Sequence, residues 1–418
     1  MNDDARKIQR VYLILLLLHT LAASFIWGIN TLFLLDAGLT NMQAFAANAF
    51  FTAGFVLFEV PTGVIADTRG RRLSYLLGTL TLTVATLLYL LMWRVSAPFW
   101  AWAATSAFLG LGFTFFSGAV QAWLVDALKG SGFNGPVESV FAKGEIVEGA
   151  AMLVGSVAGG YVAQMTNLGV PYILRTIVLA VSFVLAFVLM RDVGFAPRRG
   201  GPLFGEMKKV FRAGIQHGLG KRPLRWLMLA AIFTDGVGIY AFYAMQPYLL
   251  ELYGKPQAYG VAGLAAAVVG GAQIAGGLLV PHLGRIFRRR TSVLLASVIL
   301  STAILAAIGF LPRFWIAIVL LVLWSLLFAA IMPVRQAYVN GLIPSEQRAT
   351  VLSLDSMFGS SGGVAIQPIL GRAADVWGYP ASYVGSALIQ ALAIPFVWLA
   401  QREHAESDAI TDEPAKNG

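Results

Sequence analysis

Apolar residues form long runs along nearly the whole chain, separated by short polar or glycine- and proline-containing breaks. Most runs reach the roughly 20 residues that an α-helix needs to cross the hydrocarbon core of a bilayer. They lack the strict alternation of apolar and polar residues that is typical of transmembrane barrel strands. The pattern therefore predicts an all-α membrane protein with spans at 11–35, 44–66, 74–93, 99–126, 141–164, 172–191, 226–250, 259–280, 291–311, 314–338, 349–371 and 380–400.

The twelve spans form two sets of six, on either side of the longest polar stretch of the chain. We therefore predict an N-terminal six-helix bundle at 1–191, a cytoplasmic linker at 192–225 and a C-terminal six-helix bundle at 226–400. Residues 401–418 are polar and acidic, and we expect a disordered cytoplasmic tail there.

The linker contains a segment, 206–219, whose apolar residues share one face of a helix. They are Met207, Val210, Phe211 and Ile215. This arrangement predicts an amphipathic helix at the cytoplasmic lipid surface. A solvated basic linker with transient helix is the alternative.

A short motif occurs twice, each time between two apolar runs. Gly63-Val-Ile-Ala-Asp67-Thr-Arg69-Gly70-Arg71-Arg72 has a degraded copy 214 residues later, Gly277-Leu-Leu-Val-Pro281-His-Leu-Gly284-Arg285. Gln121-Ala-Trp123 likewise corresponds to Gln336-Ala-Tyr338, 215 residues further on. These matches predict two homologous halves, and in membranes such halves usually form a substrate path between them.

Composition supports a membrane protein and excludes several kinds of site. The chain is 58% hydrophobic and only 12% charged, whereas soluble domains carry about 25% charged residues. It has no cysteine, so disulfides, thiolate nucleophiles and cysteine metal sites are excluded. The four histidines show no ligand spacing, so we predict neither a metal site nor a cofactor.

Lysine and arginine are distributed unequally between the two sides of the predicted bundle. With an even number of spans, 24 of the 30 basic residues lie on the side of the termini, against Arg94, Lys255 and Arg313 on the other. We expect the protein in the inner membrane of the cell. By the positive-inside rule, both of its termini are expected on the cytoplasmic side. The same bias accounts for the net charge of +9 without a nucleic-acid partner.

The N-terminus has a second possible interpretation. Arg6, Lys7 and Arg10 precede an apolar run that contains Ala22-Ala23-Ser24, a weak signal-peptide cleavage pattern. The run continues to Leu35, which favours a first spanning helix.

Twelve spans with Gly-x-x-x-Asp-x-x-Gly-Arg-Arg after the second resemble the major facilitator superfamily over residues 8–400. The matching residues are Gly63, Asp67, Gly70, Arg71 and Arg72, while Thr68 replaces a usual basic residue and Arg69 follows it. The resemblance implies the major facilitator fold, alternating access and a gating function for this motif, with Asp67 in a latch between helices 2 and 11. We expect a monomer.

Two further segments look most like the drug and small-molecule:proton antiporters of this family. They are Phe58-Glu59-Val-Pro61-Thr-Gly63 and the stretch from Ser117 to Asp126. The chain departs from that branch at Ser156, where a proline is usual, and at Ser106, where an arginine is usual.

Ionisable residues inside predicted spans are costly and therefore suggest function. A desolvated carboxylate binds a proton more readily than one in water, as antiport requires. Glu59 and Asp235 are the best candidates for proton coupling, with structural pairing to Arg335 as the alternative. Glu148 is a further candidate. His19, deep in the first span, could also titrate, although a helix contact is the simpler interpretation.

Other polar and aromatic residues are assigned to a cytoplasmic gate or to a substrate cavity. Near the cytoplasmic ends of their spans, Asp126 and Glu145 are expected to form gate salt bridges with Arg71, Lys129 or Lys143, and Arg335 is grouped with them. Cavity candidates, chosen because aromatic and amide groups suit flat or cationic ligands, are Asn30, Tyr240, Tyr243, Gln246 and Trp324.

These observations favour a secondary transporter that exports small amphipathic molecules in exchange for protons. Its expected partners are a small-molecule substrate, protons and membrane lipid. An importer or facilitator of a polar metabolite, such as a sugar or organic acid, is the first alternative, and a non-transporting receptor or scaffold is the second. No nucleophile–base pair, metal set or phosphate loop indicates an enzyme.

Overall fold

The computed structural model describes residues 3–133, 135–197, 218–276, 286–343 and 348–410, with the single residues 205 and 282. Within these residues we number fourteen α-helices in chain order. They are α1 Asp3–Trp27, α2 Asn30–Asp36, α3 Asn41–Arg69, α4 Arg71–Val95, α5 Phe99–Thr114, α6 Ala119–Gly130, α7 Glu138–Met165, α8 Gly169–Leu189, α9 Arg222–Tyr253, α10 Tyr259–Gly276, α11 Arg290–Phe310, α12 Phe314–Leu342, α13 Arg348–Ala391 and α14 Ala393–Arg402.

The described helices match the predicted spans closely. Eleven helical segments are long and apolar enough to cross a membrane, and the last, Val351–Arg402, has 52 residues. At 1.5 Å per residue it would be about 78 Å long, more than twice the roughly 30 Å of a bilayer core. Gly378, with φ 82° and ψ 169°, breaks it into two. The prediction of an all-α membrane fold is confirmed.

Contacts divide the chain into two compact units, which we call the N unit and the C unit. The N unit comprises the described residues of Met1–Met207 and Gly254–Ala267, and the C unit those of Lys208–Tyr253 and Val268–Gly418. The amphipathic helix predicted at 206–219 lies outside the described residues, apart from its last two positions.

The two units repeat an aromatic contact in their cores. In the N unit, Phe33 stacks on Tyr172, with ring centroids 4.0 Å apart. In the C unit, Tyr248 lies against Tyr383 at 5.2 Å. These residues are 215 and 211 positions further along the chain, so the predicted duplication is visible in the packing as well as in the motifs.

In each unit, an aspartate caps the N-terminus of the third span. This aspartate lies in the segment that follows the sixth span of the same unit. In the N unit, Asp192 Oδ1 accepts a hydrogen bond from the backbone N–H of Arg72, at 3.0 Å. In the C unit, Asp408 accepts from the backbone N–H of Thr291 and from its hydroxyl, both at 2.8 Å. These carboxylates satisfy helix N–H groups that have no intrahelical partner.

The second of these contacts corrects an expectation from the sequence, because a disordered tail was predicted from residue 401. Residues 401 and 402 complete α14, and Glu406–Asp408 form a 3₁₀ turn. Arg290 donates to the carbonyl groups of Ser407 and Ala409, at 2.6 and 2.7 Å. The polar composition of this segment suggested disorder, but its polar groups form hydrogen bonds with the start of α11.

Glycines allow some of the helices to pack backbone against backbone. A Cβ added at Gly54 of α3 would collide with the carbonyl group of Ala107 in α5, and one added at Gly362 of α13 with that of Ile232 in α9. Such approaches are typical of membrane helices. At Gly63, by contrast, an added Cβ would meet no described atom within 4 Å outside its own stretch of helix.

Candidate functional site

In the described residues of the C unit, a bidentate ion pair joins α12 to α13. The guanidinium of Arg335 donates to both carboxylate oxygens of Asp355, at 2.6 and 2.7 Å. Asp355 is only 6% exposed. This bidentate geometry is the strongest form of an arginine–carboxylate pair, so Asp355 already compensates the charge of Arg335.

A second carboxylate belongs to the same cluster. Asp235, on α9, interacts electrostatically with both Arg335 and Asp355. Its Oδ1 accepts a hydrogen bond from the hydroxyl of Thr234 at 3.0 Å, and the other carboxylate oxygen lies against Gly359 of α13. With both acids ionised, the three side chains carry a net charge of −1. We call Asp235, Arg335 and Asp355 the charge cluster.

The charge cluster borders a cavity inside the C unit. The cavity has a volume of about 80 Å³ and is walled mainly by apolar residues of α9, α11 and α12. Trp324, buried and stacked on Phe328 with centroids 6.0 Å apart, forms part of the wall. The polar and aromatic lining residues are Thr234, Asp235, Ser297, Ser301, Trp324, Phe328, Arg335 and Gln390. Three predicted site residues, Asp235, Trp324 and Arg335, therefore meet here.

The predicted gating motif forms a tight junction between α3 and α4. Gly70 has φ 112°, a conformation that strongly favours glycine. Because the chain reverses there, Arg71 forms an ion pair with Asp67 across the junction. Arg72 donates to the carbonyl group of Phe187 at 2.5 Å, while Arg69, the last residue of α3, is exposed.

The predicted gate salt bridges of Asp126 and Glu145 are not present in the described part of the chain. Arg71, one expected partner, is instead paired with Asp67. Glu145 is exposed on α7 and Asp126 is half-buried on α6. Asp67 lies only four residues from Arg71 and on the adjoining helix end, so it is the nearer partner for that arginine. Arg335, which was grouped with this gate, pairs within the C unit instead.

The other coupling candidates lie in the N unit. Glu59 is half-buried, and its Oε1 accepts a long hydrogen bond from Ser117, at 3.4 Å. Glu148 is exposed on α7. His19 lies against Phe116, with centroids 4.1 Å apart, and its Nδ1 has no hydrogen-bond partner among the described residues.

The remaining cavity candidates do not line the cavity of the C unit. The hydroxyl of Tyr240 donates to Ser382 at 2.7 Å within a fully buried site. Gln246 is also fully buried, and Tyr243 packs edge-on against Phe242. Asn30, in the N unit, bonds to Asn48 and Tyr172, at 3.0 and 3.1 Å.

Sequence reasoning missed Asp355, Asp192 and Asp408. Asp355 lies near the start of the predicted span 349–371, where a carboxylate is ordinarily solvated. The signal that could have identified it is Arg335, since an arginine inside an apolar span suggests a carboxylate partner on a neighbouring helix.

Comparison with known proteins identifies the family. The model described as Major Facilitator Superfamily matches residues 12–300 and 257–417. The chain belongs to the Major Facilitator Superfamily. This superfamily member is a secondary transporter and not an enzyme.

A curated relative of this superfamily member is Multidrug resistance protein MdtG of Dickeya zeae (strain Ech586). The two are 24% identical over 362 residues, which are 84% of this chain and 82% of the relative. Each covers most of the other, so the similarity extends through both units.

Solved structures share the fold. The nucleoside transporter NupG has a TM-score of 0.76 at 8% identity, covering 96% of this chain and 99% of that one. A bacterial homolog to the human lysosomal transporter Spinster has a TM-score of 0.71 at 15% identity, covering 98% and 99%. At these identities the likeness concerns the fold alone.

Proposed function

We propose that this transporter exports small amphipathic molecules in exchange for protons, by alternating access of its two six-helix bundles. The observation that carries the proposal is the charge cluster, in which one arginine is paired with Asp355 and shares a cavity with a second carboxylate, Asp235. The relationship to a multidrug resistance protein supports the choice of substrate class.

The charge count explains why a proton would bind here. Asp355 neutralises Arg335 through two short hydrogen bonds, which leaves the charge of Asp235 in excess. An uncompensated charge within a membrane bundle is costly. Binding one proton makes the cluster neutral, so its occupancy can be linked to a conformational change or to a cationic substrate.

Glu59 and the gating motif have supporting functions in this proposal. Glu59 is a second proton-binding candidate, because among the described residues its carboxylate accepts one long hydrogen bond, from the Ser117 hydroxyl at 3.4 Å. The Asp67–Arg71 pair would be remodelled during the transport cycle, as a gate requires. We further propose a monomer in the inner membrane with both termini in the cytoplasm, on the basis of the lysine and arginine bias.

The test is transport by the purified protein in sealed vesicles with an imposed pH gradient and a panel of cationic and neutral dyes. We expect the wild type to move at least one dye faster with the gradient than without it. Asp235→Asn should lose that dependence. Asp375→Asn, which alters an exposed carboxylate of the C unit, is the matched control and should retain it. Undiminished gradient-driven transport by Asp235→Asn would reject Asp235 as the coupling group.

Import or facilitated movement of a polar metabolite is the second candidate. It is favoured by the hydrogen-bonded group of Asn30, Asn48 and Tyr172 in the N unit, since buried polar clusters suit a hydroxylated ligand. Uptake of radiolabelled nucleosides, sugars and organic acids by the same vesicles, with no dye transport, would favour this candidate over export.

A further inference from the structure

The cavity beside the charge cluster lies within a single unit, because every residue that lines it belongs to the C unit. We propose that it is a water-filled chamber that supplies protons to Asp235 and that excludes the transported substrate. This inference rests on the proposed function, in which Asp235 is the group that binds the proton.

The volume of the cavity suits water molecules better than a drug-sized ligand. A water molecule needs about 10–15 Å³ of such space, so a cavity of about 80 Å³ accommodates several waters. Pockets for drug-sized ligands have volumes of about 300–1,000 Å³. The chamber is therefore large enough for a chain of waters and too small for an amphipathic substrate.

Its wall carries hydrogen-bonding groups at intervals. The hydroxyl groups of Ser297 and Ser301 donate to the carbonyl groups of Val293 and Val298, at 2.6 and 3.1 Å. Donation to the backbone leaves each oxygen able to accept a further bond. The side-chain amide of Gln390 donates to Ser301. Buried waters need two to four polar partners, and these groups, with Asp235 and Arg335, provide them.

The charges around Asp235 favour a proton as the bound species. The charged side chains that act on it are Arg335 from α12 and Asp355 from α13, and the polar group of α9 is Thr234. Residues of α11 and α14 contribute only uncharged groups to the cavity wall. A hydronium ion in the chamber would transfer one proton to a carboxylate oxygen of Asp235, leaving a water molecule and a neutral carboxylic acid.

The absence of cysteine from the chain permits a direct test of water access. Ser301→Cys introduces a single thiol into the wall of the chamber. Ser386→Cys is the matched control, because Ser386 is also buried in the C unit but lies outside the cavity lining. Each full-length variant is treated with a small, water-soluble methanethiosulfonate amine, which reacts with the thiolate.

We expect Ser301→Cys to react at least about tenfold faster than Ser386→Cys, because thiolates form and react where water has access. Labelled Ser301→Cys, reconstituted in vesicles, should lose about tenfold in pH-gradient-driven transport, because the label occupies the space of the waters; a tenfold loss corresponds to about 1.4 kcal/mol in the barrier. Substrate affinity, measured in detergent at fixed pH, should not change.

Equal reactivity of the two thiols would mean a dry cavity and would overturn the inference. Labelled Ser301→Cys that keeps full gradient-driven transport would also overturn it, as would labelling that mainly weakens substrate affinity. If a sodium gradient replaces the pH gradient as the driving force, the proton assignment fails. If wild-type transport does not depend on the pH gradient, the proposed function is rejected instead. The difference in labelling rate between the two thiols would still show whether water enters the cavity.

Discussion

The charge cluster predicts an order of stability for three single substitutions. With both acids ionised its net charge is −1, and Arg335→Gln would leave two carboxylates with a charge of −2. Asp355→Asn removes the bidentate partner but leaves Arg335 facing Asp235, so the charges still balance. Asp235→Asn also gives a neutral cluster and keeps the Arg335–Asp355 pair intact. Arg335→Gln should therefore destabilise most and Asp235→Asn least.

The magnitudes follow from the geometry. Removing one partner of a buried ion pair costs about 3–5 kcal/mol when the other charge is left unpaired, and this range applies to Arg335→Gln. For Asp355→Asn we expect about 1–3 kcal/mol, the cost of disrupting charge-assisted hydrogen bonds. For Asp235→Asn we expect a change below about 1 kcal/mol, because the asparagine keeps an oxygen that can accept the hydrogen bond from the Thr234 hydroxyl.

The assay is thermal unfolding of the purified variants in one detergent, followed by tryptophan fluorescence. A loss of 3–5 kcal/mol corresponds to a decrease in Tm on the order of 10 °C for a unit of about 200 residues. The reasoning is refuted if Asp235→Asn unfolds at as low a temperature as Arg335→Gln, or if Arg335→Gln is as stable as the wild type.

Three further outcomes can be checked with the same preparations. Asp408→Ala should lower the Tm, since loss of a helix cap costs about 0.5–2 kcal/mol, whereas the exposed Glu406→Ala should not; equal Tm values for both would contradict this. Gly54→Ala should destabilise by about 1–3 kcal/mol through overpacking, and Gly63→Ala, with open space around it, should be nearly neutral; the reverse order would exclude the packing argument. Asp67→Asn should change stability by less than about 1 kcal/mol, because its ion pair is partly exposed, yet slow vesicle transport; unchanged transport would argue against a gating function.

Most of the fold could be predicted from the sequence because the bilayer imposes a length on every span. A run of about 20 apolar residues forms a helix in lipid, because a helix pairs its backbone N–H and C=O groups internally. The duplication could also be predicted, since its motifs recur at an almost constant interval. Hydropathy could not indicate the breaks within the runs, such as that between α5 and α6.

Much less of the candidate site could be predicted. Asp235 and Arg335 were identified because charges are conspicuous in apolar spans, but their grouping with Asp355 depends on which helices are neighbours. Tyr240 illustrates the same limit, because hydropathy does not reveal whether an aromatic side chain faces a cavity or a helix contact. In this structure its hydroxyl bonds to Ser382 and to the carbonyl group of Leu370.

The matching positions of Asp192 and Asp408 affect how this protein can be engineered. In each half, the segment after the sixth span folds back and binds the start of the third span, through Asp192 in one half and Asp408 in the other. Fusion partners or purification tags should therefore be attached beyond Ile410, whose N–H still bonds to Arg288. A tag that replaces the chain from Glu403 onward would expose the start of α11 to solvent.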